Sequence, residues 1–297
     1  MKTRADHDQR GMVLVIVLWI VTLLAVMAGG FAYSMRVETR LATSAVERAQ
    51  ARALAEAGVA YALAWQLDLD PEIQKQWPPN GDPHDWEFNG GRIRIRVEDA
   101  AGRISLNSAD PQLLRKVLTS VGVAEANVER LMAAIADWRD QDDEQTLPGG
   151  AESAEYRSAG RAGPKNALFE SVEELQQVMG IDRDTAQRLA SLVTISMISG
   201  INPQLASFAV LRAATGLSEQ AVADYVSART ASEEPPPPPP SEDGMIFFSG
   251  SRLGVYHIAV TAQAGTGATV SEETVVSIQG PLQGQAVRWL SWRFLAR

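Results

Sequence analysis

Residues 1–24 of the 297-residue chain read MKTRADHDQRGMVLVIVLWIVTLL, a polar segment that meets a glycine and then becomes apolar. No charged side chain occurs from Gly11 to Met35. At about 1.5 Å per residue, a helix over this run can cross the roughly 30 Å hydrocarbon core of a bilayer. Basic residues precede the run, and this arrangement favours an N-terminus in the cytoplasm and a body outside it.

The helical pattern continues past the apolar run. No proline occurs before Pro71, and Glu, Arg and Gln occupy the other faces of the predicted helix. Small or apolar residues recur every three or four positions, at Val37, Leu41, Ala45, Ala49, Ala53, Ala57, Ala60 and Ala64. This pattern predicts one helix of roughly 55 residues that is partly amphipathic. A signal peptide cleaved near Ala28 and a plain membrane-anchored stalk are the alternatives.

Composition excludes several function classes. Lys+Arg 27 against Asp+Glu 36 gives a formal charge of -9, which argues against a protein that tracks nucleic-acid phosphates. The chain has no cysteine, so disulfides, thiolate zinc sites and thiol nucleophiles are excluded. Its three histidines leave little for a histidine-rich metal site or a serine-type triad.

Period-two alternation predicts strands at both ends of the remaining chain. Residues 92–97 alternate Arg with Ile or Val, and Ile104 and Leu106 begin a second strand. Three further strands follow a polyproline linker, at residues 254–262, 269–279 and 286–292. We therefore expect an α+β fold in which early and late strands share one antiparallel sheet and a helical region is inserted between them.

The inserted region carries helix start signals and one alternative function. Asp110 with Pro111 predicts a capped helix, and Ser171 with Glu174 forms a capping-box pattern. The stretch VEELQQVMGIDRDTAQRLASLV, residues 172–193, resembles a helix-hairpin-helix unit, so a membrane-anchored DNA-binding protein is the alternative reading. Acidic residues at the hairpins, Glu125 and Asp182, would repel phosphate and favour a structural module.

An acidic segment, DWRDQDDEQTLPGGAESAEY at residues 137–156, lies in a predicted loop over residues 137–165. The candidate metal ligands are Asp137, Asp140, Asp142, Asp143, Glu144 and Glu152. Their mutual repulsion and all-oxygen chemistry suit Ca²⁺ better than Mg²⁺, although the spacing does not match an EF-hand. A solvated acidic loop is the alternative. A glycosidase-like carboxylate pair has little support, because no aromatic sugar platform is evident beside it.

Several motifs together resemble the minor pseudopilin K (GspK) family of type II secretion systems, within the type IV pilin-like superfamily. They are the leader ending in Gly11, then GRISLN, DWRDQDDE, PGGAESAEY and PKNALFESVEEL in this order. Two positions depart from the wider superfamily: Met12 stands where Phe is usual, and Ile16 stands where Glu is usual. Within the superfamily, the absence of that glutamate is a feature in which this chain resembles minor pseudopilin K.

The resemblance implies a processing site and a place in an assembly. A prepilin peptidase would cut after Gly11, and Met12 would be N-methylated. The glutamate that is usual in the superfamily pairs with the N-terminal amine of the preceding subunit, so Ile16 implies a subunit at the filament tip. The implied partners are minor pseudopilins I, J and H, together with the peptidase and the bacterial inner membrane, with the large C-terminal part in the periplasm. The implied role is in pseudopilus assembly and protein export, without enzyme activity or nucleic-acid binding.

The resemblance also implies a domain plan and a bound Ca²⁺ in the acidic segment. The inserted domain is expected to resemble SAM or helix-hairpin-helix modules. The expected parts are a leader (1–11), a transmembrane part of the helix (12–35), the rest of the helix with the first strands of a pilin-like domain (36–106), an inserted α-helical domain (107–230), a polyproline linker (231–243) and the C-terminal strands (244–297).

Overall fold

A computed structural model describes residues 6–68, 70–231, 236–237, 248, 250, 252–279 and 286–295. The first five residues of the predicted leader and most of the predicted linker lie outside this part of the chain. The helices are α1 (Asp6–Gln66), α2 (Pro71–Gln76), α3 (Pro111–Ser120), α4 (Glu125–Arg139), α5 (Ser153–Ser158), α6 (Arg183–Ala190), α7 (Phe208–Thr215) and α8 (Glu219–Ala231). The strands are β1 (His84–Phe88), β2 (Gly91–Asp99), β3 (Ile104–Ser105), β4 (Val193–Thr194), β5 (Val255–Gln263), β6 (Thr269–Gln279) and β7 (Ala286–Leu295).

The predicted α+β class is confirmed. Five strands form one antiparallel sheet in the order β1-β2-β5-β6-β7, so early and late strands do share a sheet. The helices α3 to α8 lie between β2 and β5 in the chain. A separate two-stranded parallel sheet, β3-β4, lies within that helical region.

Helix α1 runs unbroken for 61 residues, as its periodicity predicts. Only its C-terminal part packs on the sheet, through Ala51, Leu54, Ala55, Val59, Ala62 and Leu63. Gly58 lies so close to the strands that an added Cβ would meet Ile93 and Val260 side chains at 2.8 Å. The predicted stripe at Ala45, Ala49 and Ala53 lies on another face and is exposed. Helix α1 therefore has one face for its own sheet and keeps a second face open.

The inserted helical region has its own core. Three helix-turn-helix units, α3-α4, the 3₁₀ helix Val172–Gln177 with α6, and α7-α8, surround it. Each turn holds a glycine with positive φ, at Gly122, Gly180 and Gly216, where a side chain would be strained. The predicted caps are present: Asp110 accepts from the Gln112 N–H, and Glu174 accepts from the Ser171 N–H.

One buried carboxylate joins the two regions. Asp99, at the end of β2, accepts N–H bonds from Ala101, where the chain enters the helical region, and from Leu253 and Gly254, where it returns. Gly102 follows at once and lies against the Leu205 carbonyl, where an added Cβ would collide. We call Asp99, Ala101, Leu253 and Gly254 the neck.

Three local expectations were wrong or incomplete. Strand β1 was missed, since HDWEF lacks both β-branched residues and a clear alternation. The predicted second strand is only the two-residue β3, and it pairs with β4 outside the main sheet. The predicted loop over residues 137–165 contains the end of α4 and the whole of α5.

Candidate metal centre

The last turn of α4 places the first acidic residue of the segment in the protein interior. Val128, Leu131, Ile135 and Trp138 bury one face of this helix in the core of the helical region. Asp137 is fully buried, and its two carboxylate oxygens lie 3.1 and 3.3 Å from the Thr146 N–H, which donates to them. The carboxylate therefore holds the following loop back against the helix.

Three acidic side chains converge at this point. Asp137, Asp140 and Glu152 each present a carboxylate oxygen, and these atoms all lie within 4.8 Å of one another. Glu152 is 2% exposed and directly precedes α5, whose first turn is stabilised by a bond from the Glu152 N–H to Glu155 Oε2. We call Asp137, Asp140 and Glu152 the carboxylate cluster.

The electrostatics of the carboxylate cluster are unfavourable without a cation. Burial, together with the charges of Asp137, Asp140 and Asp143, raises the pKa of Glu152 to about 7. Burial also raises the pKa of Asp140, with the charges of Asp142 and Asp137 adding to the effect. Closely spaced like charges in a buried site favour either a proton or a metal ion.

The oxygen atoms of the carboxylate cluster fit a hard cation. Both carboxylate oxygens of Glu152 and Oδ1 of Asp140 are buried without a hydrogen-bond partner among the described residues. Buried polar groups without partners are rare and call for a ligand. Two oxygens bound to one Ca²⁺ at about 2.4 Å cannot be more than about 4.8 Å apart, which the cluster satisfies. Asp137, Asp140 and Glu152 could therefore hold Ca²⁺, which would neutralise their charge and fix the loop to α4 and α5.

The other three predicted ligands lie outside the carboxylate cluster. Asp142 Oδ1 accepts from the Glu144 N–H, and Asp143 Oδ1 accepts from the Ser153 N–H. Bonds to Ser153 hold the pKa of Asp143 below its usual value. Asp142, Asp143 and Glu144 are exposed. Their assignment as ligands stays a prediction, and Asp143 is the one that interacts with Glu152.

Gly150 shapes the site but offers no side-chain ligand, so the acidic pattern of the sequence does not reveal it. A Cβ at Gly150 would collide with Asp137 Oδ2 and the Thr146 carbonyl oxygen. The Gly150 carbonyl accepts from Gln145 Nε2 at 2.6 Å, and the Gly150 N–H donates to Thr146 O at 2.9 Å. The only signal in the sequence was the Gly-Gly pair after Pro148.

The predicted processing residues lie in α1. Gly11 and Met12 both fall within its bounds, and Met12 and Ile16 are exposed along the apolar part. Helix α1 is long and apolar enough from Met12 to cross a membrane, and its most apolar window is entirely unburied. A signal sequence would pass the same test of length and composition.

The helix-hairpin-helix turns offer little to a phosphate. At the first turn, the N–H groups of Gly122 and Val123 already donate to Thr119 and Leu118 carbonyls. At the second, the Asp182 side chain accepts from the Thr185 N–H and occupies the helix start. A carboxylate at a helix N-terminus takes the place that an anionic ligand would need.

Comparison with known proteins finds a similarity to one family. The model of the family "Type II secretion system (T2SS), protein K" matches residues 95–197, which include the neck's first half and the carboxylate cluster. The type II secretion system protein K of Klebsiella pneumoniae is 30% identical over 210 residues, and that of Pseudomonas aeruginosa is 26% identical over 246 residues. The chain is therefore similar to type II secretion system protein K, and residues 95–197 match the model of that family.

The similarity to protein K extends to a solved structure. The crystal structure of the GspK-GspI-GspJ complex from enterotoxigenic Escherichia coli contains a chain that matches with a TM-score of 0.57 and 16% identity. The match covers 89% of this chain and 99% of that chain, and at this identity it shows the fold alone. The alignment to the Klebsiella protein K covers 63% of each chain, and the alignment to the Pseudomonas protein covers 75% of this chain and 73% of the relative.

Proposed function

We propose that the chain is a minor pseudopilin at the tip of a type II secretion pseudopilus, where it takes part in pseudopilus assembly and protein export across the outer membrane. The observation that carries this proposal is the division of α1 into two parts, in a chain that is similar to protein K. Its apolar part is unburied, and only its C-terminal part packs on the sheet. A helix of this kind anchors a head outside the membrane and leaves a free face for neighbouring helices.

The position at the tip is supported by Ile16 and by the inserted helical region. A carboxylate in lipid is costly unless it is paired, and a subunit with no subunit ahead of it needs no such group. Among the described residues, the region between β2 and β5 contains six helices, α3 to α8. A body of this size would block further stacking above it. This role is structural and requires no catalytic residue.

The proposed location is the inner membrane, with the body in the periplasm, after cleavage following Gly11 and N-methylation of Met12. Mass spectrometry of the mature N-terminus tests this. An N-methylated Met12 is the expected result. A terminus near Gly29 would indicate a signal peptide instead, and an intact Met1 would indicate a plain anchor.

The proposed partners are the minor pseudopilins I and J, with H as a further subunit. The solved chain similar in fold is part of a complex named for GspK, GspI and GspJ. The test is co-purification of the full chain with its cognate I and J proteins in detergent. Replacing Ala45, Ala49 and Ala53 with leucine should weaken the complex, because the exposed stripe would no longer allow close helix packing. Unchanged recovery of both partners would count against this use of the stripe.

We also propose that Asp137, Asp140 and Glu152 bind Ca²⁺, with Asp142, Asp143 and Glu144 as candidate additional ligands. The unpartnered oxygens of Glu152 and Asp140 support this. Calorimetric titration of chelator-treated protein with Ca²⁺ tests it directly. Binding that Asp137→Asn abolishes is the expected result, and no heat at millimolar Ca²⁺ would contradict the site.

A further inference from the structure

The strand β7 presents an unusual surface at one edge of the main sheet. No strand pairs with its outer edge among the described residues. Five large apolar side chains on this strand are 41–45% exposed: Trp289, Leu290, Trp292, Phe294 and Leu295. An edge with free backbone groups and exposed apolar residues is a template for another strand, and soluble proteins usually protect it.

Strand β1, at the opposite edge of the sheet, is better protected against pairing with another strand. Strand β1 is five residues long, and its Asp85 forms a paired contact with Arg94 on β2. Strand β7 is ten residues long and has only two charged residues, Arg288 and Arg293. Arg293 is engaged with Glu273 and with Glu173 of the helical region. The two edge strands of the sheet therefore differ in length and in charge.

Exposure on both faces of β7 favours a strand as the occupant. Trp289, Trp292 and Phe294 lie opposite Val276, Thr274 and Glu272, on the face that also carries α1. Leu295 lies opposite Ser271 on the other face. A helix docked beside α1 would cover only the first face. A strand that continues the sheet would cover the flanks of both faces and would also use the free backbone groups.

The charges on β7 indicate the chemistry of the partner. Arg288 has no ion pair among the described residues, and it flanks the aromatic pair Trp289–Trp292, whose ring centroids are 4.6 Å apart. A strand with a carboxylate opposite Arg288 would gain an ion pair across the ladder. A second copy of this chain is less suitable, since antiparallel self-pairing centred on Leu290 and Ser291 would set Arg288 against Arg293.

The ladder on β7 has a defined usable length. Leu290 is an extra residue at a bulge, since Val276 pairs with Trp289 and Val275 pairs with Ser291. The bulge divides the regular pairing of β7 into residues 286–289 and residues 291–295. The second segment, Ser291–Leu295, is the longer one. An added strand of about eight residues would pair regularly with Ser291–Leu295 and continue past the bulge, which places its acidic end opposite Arg288.

We propose that β7 is a docking edge for an extended strand of a neighbouring pilin-like subunit, apolar at alternate positions and carrying a carboxylate that faces Arg288. This inference rests on the proposed function, because the partner is a subunit of the same assembly. It adds a contact by strand addition, separate from the packing of α1 against other helices.

Hydrogen exchange on the full chain in detergent, alone and in complex with minor pseudopilins I and J, tests the docking edge. Amides of β7 that do not bond to β6 should exchange at least tenfold more slowly in the complex. Protection of α1 without protection of β7 would overturn the docking edge while leaving the proposed function intact. A failure of the complex to form, with neither element protected, would contradict the proposed function, and with it the partner on which the docking edge depends.

A charge reversal supplies the second measurement. Arg288→Glu should weaken the complex about tenfold, whereas Arg92→Glu, the same change on an exposed position of β2, should leave affinity within twofold. Equal losses in the two variants would contradict the proposed carboxylate partner. Protection of β7 that rises with the concentration of this chain alone would show self-pairing and would also overturn the proposal.

Discussion

Two buried glutamates, one in each region of the molecule, both have a raised pKa, but their surroundings differ. Glu152 lies in the helical region and Glu272 on β6 of the main sheet, and burial raises the pKa of each to about 7. Neither has a hydrogen-bond partner for its carboxylate oxygens among the described residues. Similar burial and a similar pKa therefore do not by themselves identify a metal site.

The surroundings of the two glutamates differ. Three further acidic residues raise the pKa of Glu152. One acidic residue, Glu56, raises the pKa of Glu272, while the nearby Trp292 side chain and the charge of Arg52 lower it. A single proton can relieve Glu272. A proton on Glu152 still leaves Asp137 and Asp140 close together, so a divalent cation satisfies that site better.

The largest expected difference between the two sites is the response to Ca²⁺. At free Ca²⁺ about 1,000 times the dissociation constant, binding should stabilise the folded protein by about 4 kcal/mol. Thermal unfolding with Ca²⁺ and with chelator measures this. Asp137→Asn should abolish the shift and Glu272→Gln should preserve it. An unchanged melting temperature in the wild-type chain would show that the carboxylate cluster holds no Ca²⁺.

The next effect concerns the space around Asp137. Gly150→Ala places a Cβ against Asp137 Oδ2 and the Thr146 carbonyl, and should cost about 1–3 kcal/mol of folding free energy and weaken Ca²⁺ binding. Gly250→Ala is the matched control, since its added Cβ meets nothing within 4 Å. Chemical unfolding of both variants, followed by Ca²⁺ titration, makes the comparison. Equal stability in the two would mean that the close approach at Gly150 is readily relieved.

A smaller effect should appear in how the free energy of unfolding depends on pH. The folded pKa of Glu272 is about 7, above the 4.5 of an exposed glutamate, so the folded state holds its proton more tightly. Its contribution to stability is present in full below about pH 4.5 and is lost as the pH rises through 7. Glu272→Gln mimics the protonated form and should stabilise the protein by about 1–2 kcal/mol at pH 8.

The unfolding free energy of the wild type and of Glu272→Gln, measured from pH 5 to 8, tests this. The gap between the two should widen as the pH rises. Glu152→Gln should show a similar gap only in chelator, because in Ca²⁺ it removes a ligand and should destabilise. A constant gap across the range would mean that Glu272 does not titrate there.

The smallest expected effect is at Arg52. Its guanidinium lies 4.2 Å from the centroid of the Phe294 ring, and its charge lowers the pKa of Glu272 by less than burial and Glu56 raise it. Arg52→Gln should raise the pKa of Glu272 by only a few tenths of a unit, about the size of a screened surface interaction. NMR titration of the Glu272 carboxyl carbon measures the shift. A larger shift would mean that Arg52 is the main counter-charge of that site.

The sequence predicted the elements whose side chains follow a clear period. Helix α1 and the strands β2, β5, β6 and β7 were predicted because small or apolar residues recur in their sequences at the helical or strand period. Helix α5 was missed because six residues carry too little periodicity, and its start depends on Glu155 bonding back to the Glu152 N–H. Short elements held by one side-chain bond leave little pattern to detect.

The two glutamate sites were predictable to different degrees. The density of acidic residues at 137–156 pointed to the carboxylate cluster, although only the fold selects Asp137, Asp140 and Glu152 from the six candidates. Nothing marked Glu272, since Glu272 and Glu273 are adjacent on β6 and the strand period sends one to each face. The register of β6 with β5 and β7 decides which of the two is buried. That register depends on contacts between residues far apart in the sequence.

The neck at Asp99 makes the helical region an interruption of a hairpin. Asp99 pairs with Tyr256 across the β2-β5 ladder, so residues 100–255 occupy the place of a turn. The entropy of closing a loop rises only by about 0.6 kcal/mol for each doubling of its length, so a whole folded unit costs the sheet little as a connection. Replacing residues 100–255 with a two-residue turn should therefore give a smaller protein that keeps the five-stranded sheet. The size of the part attached to α1 could then be changed without changing α1 itself.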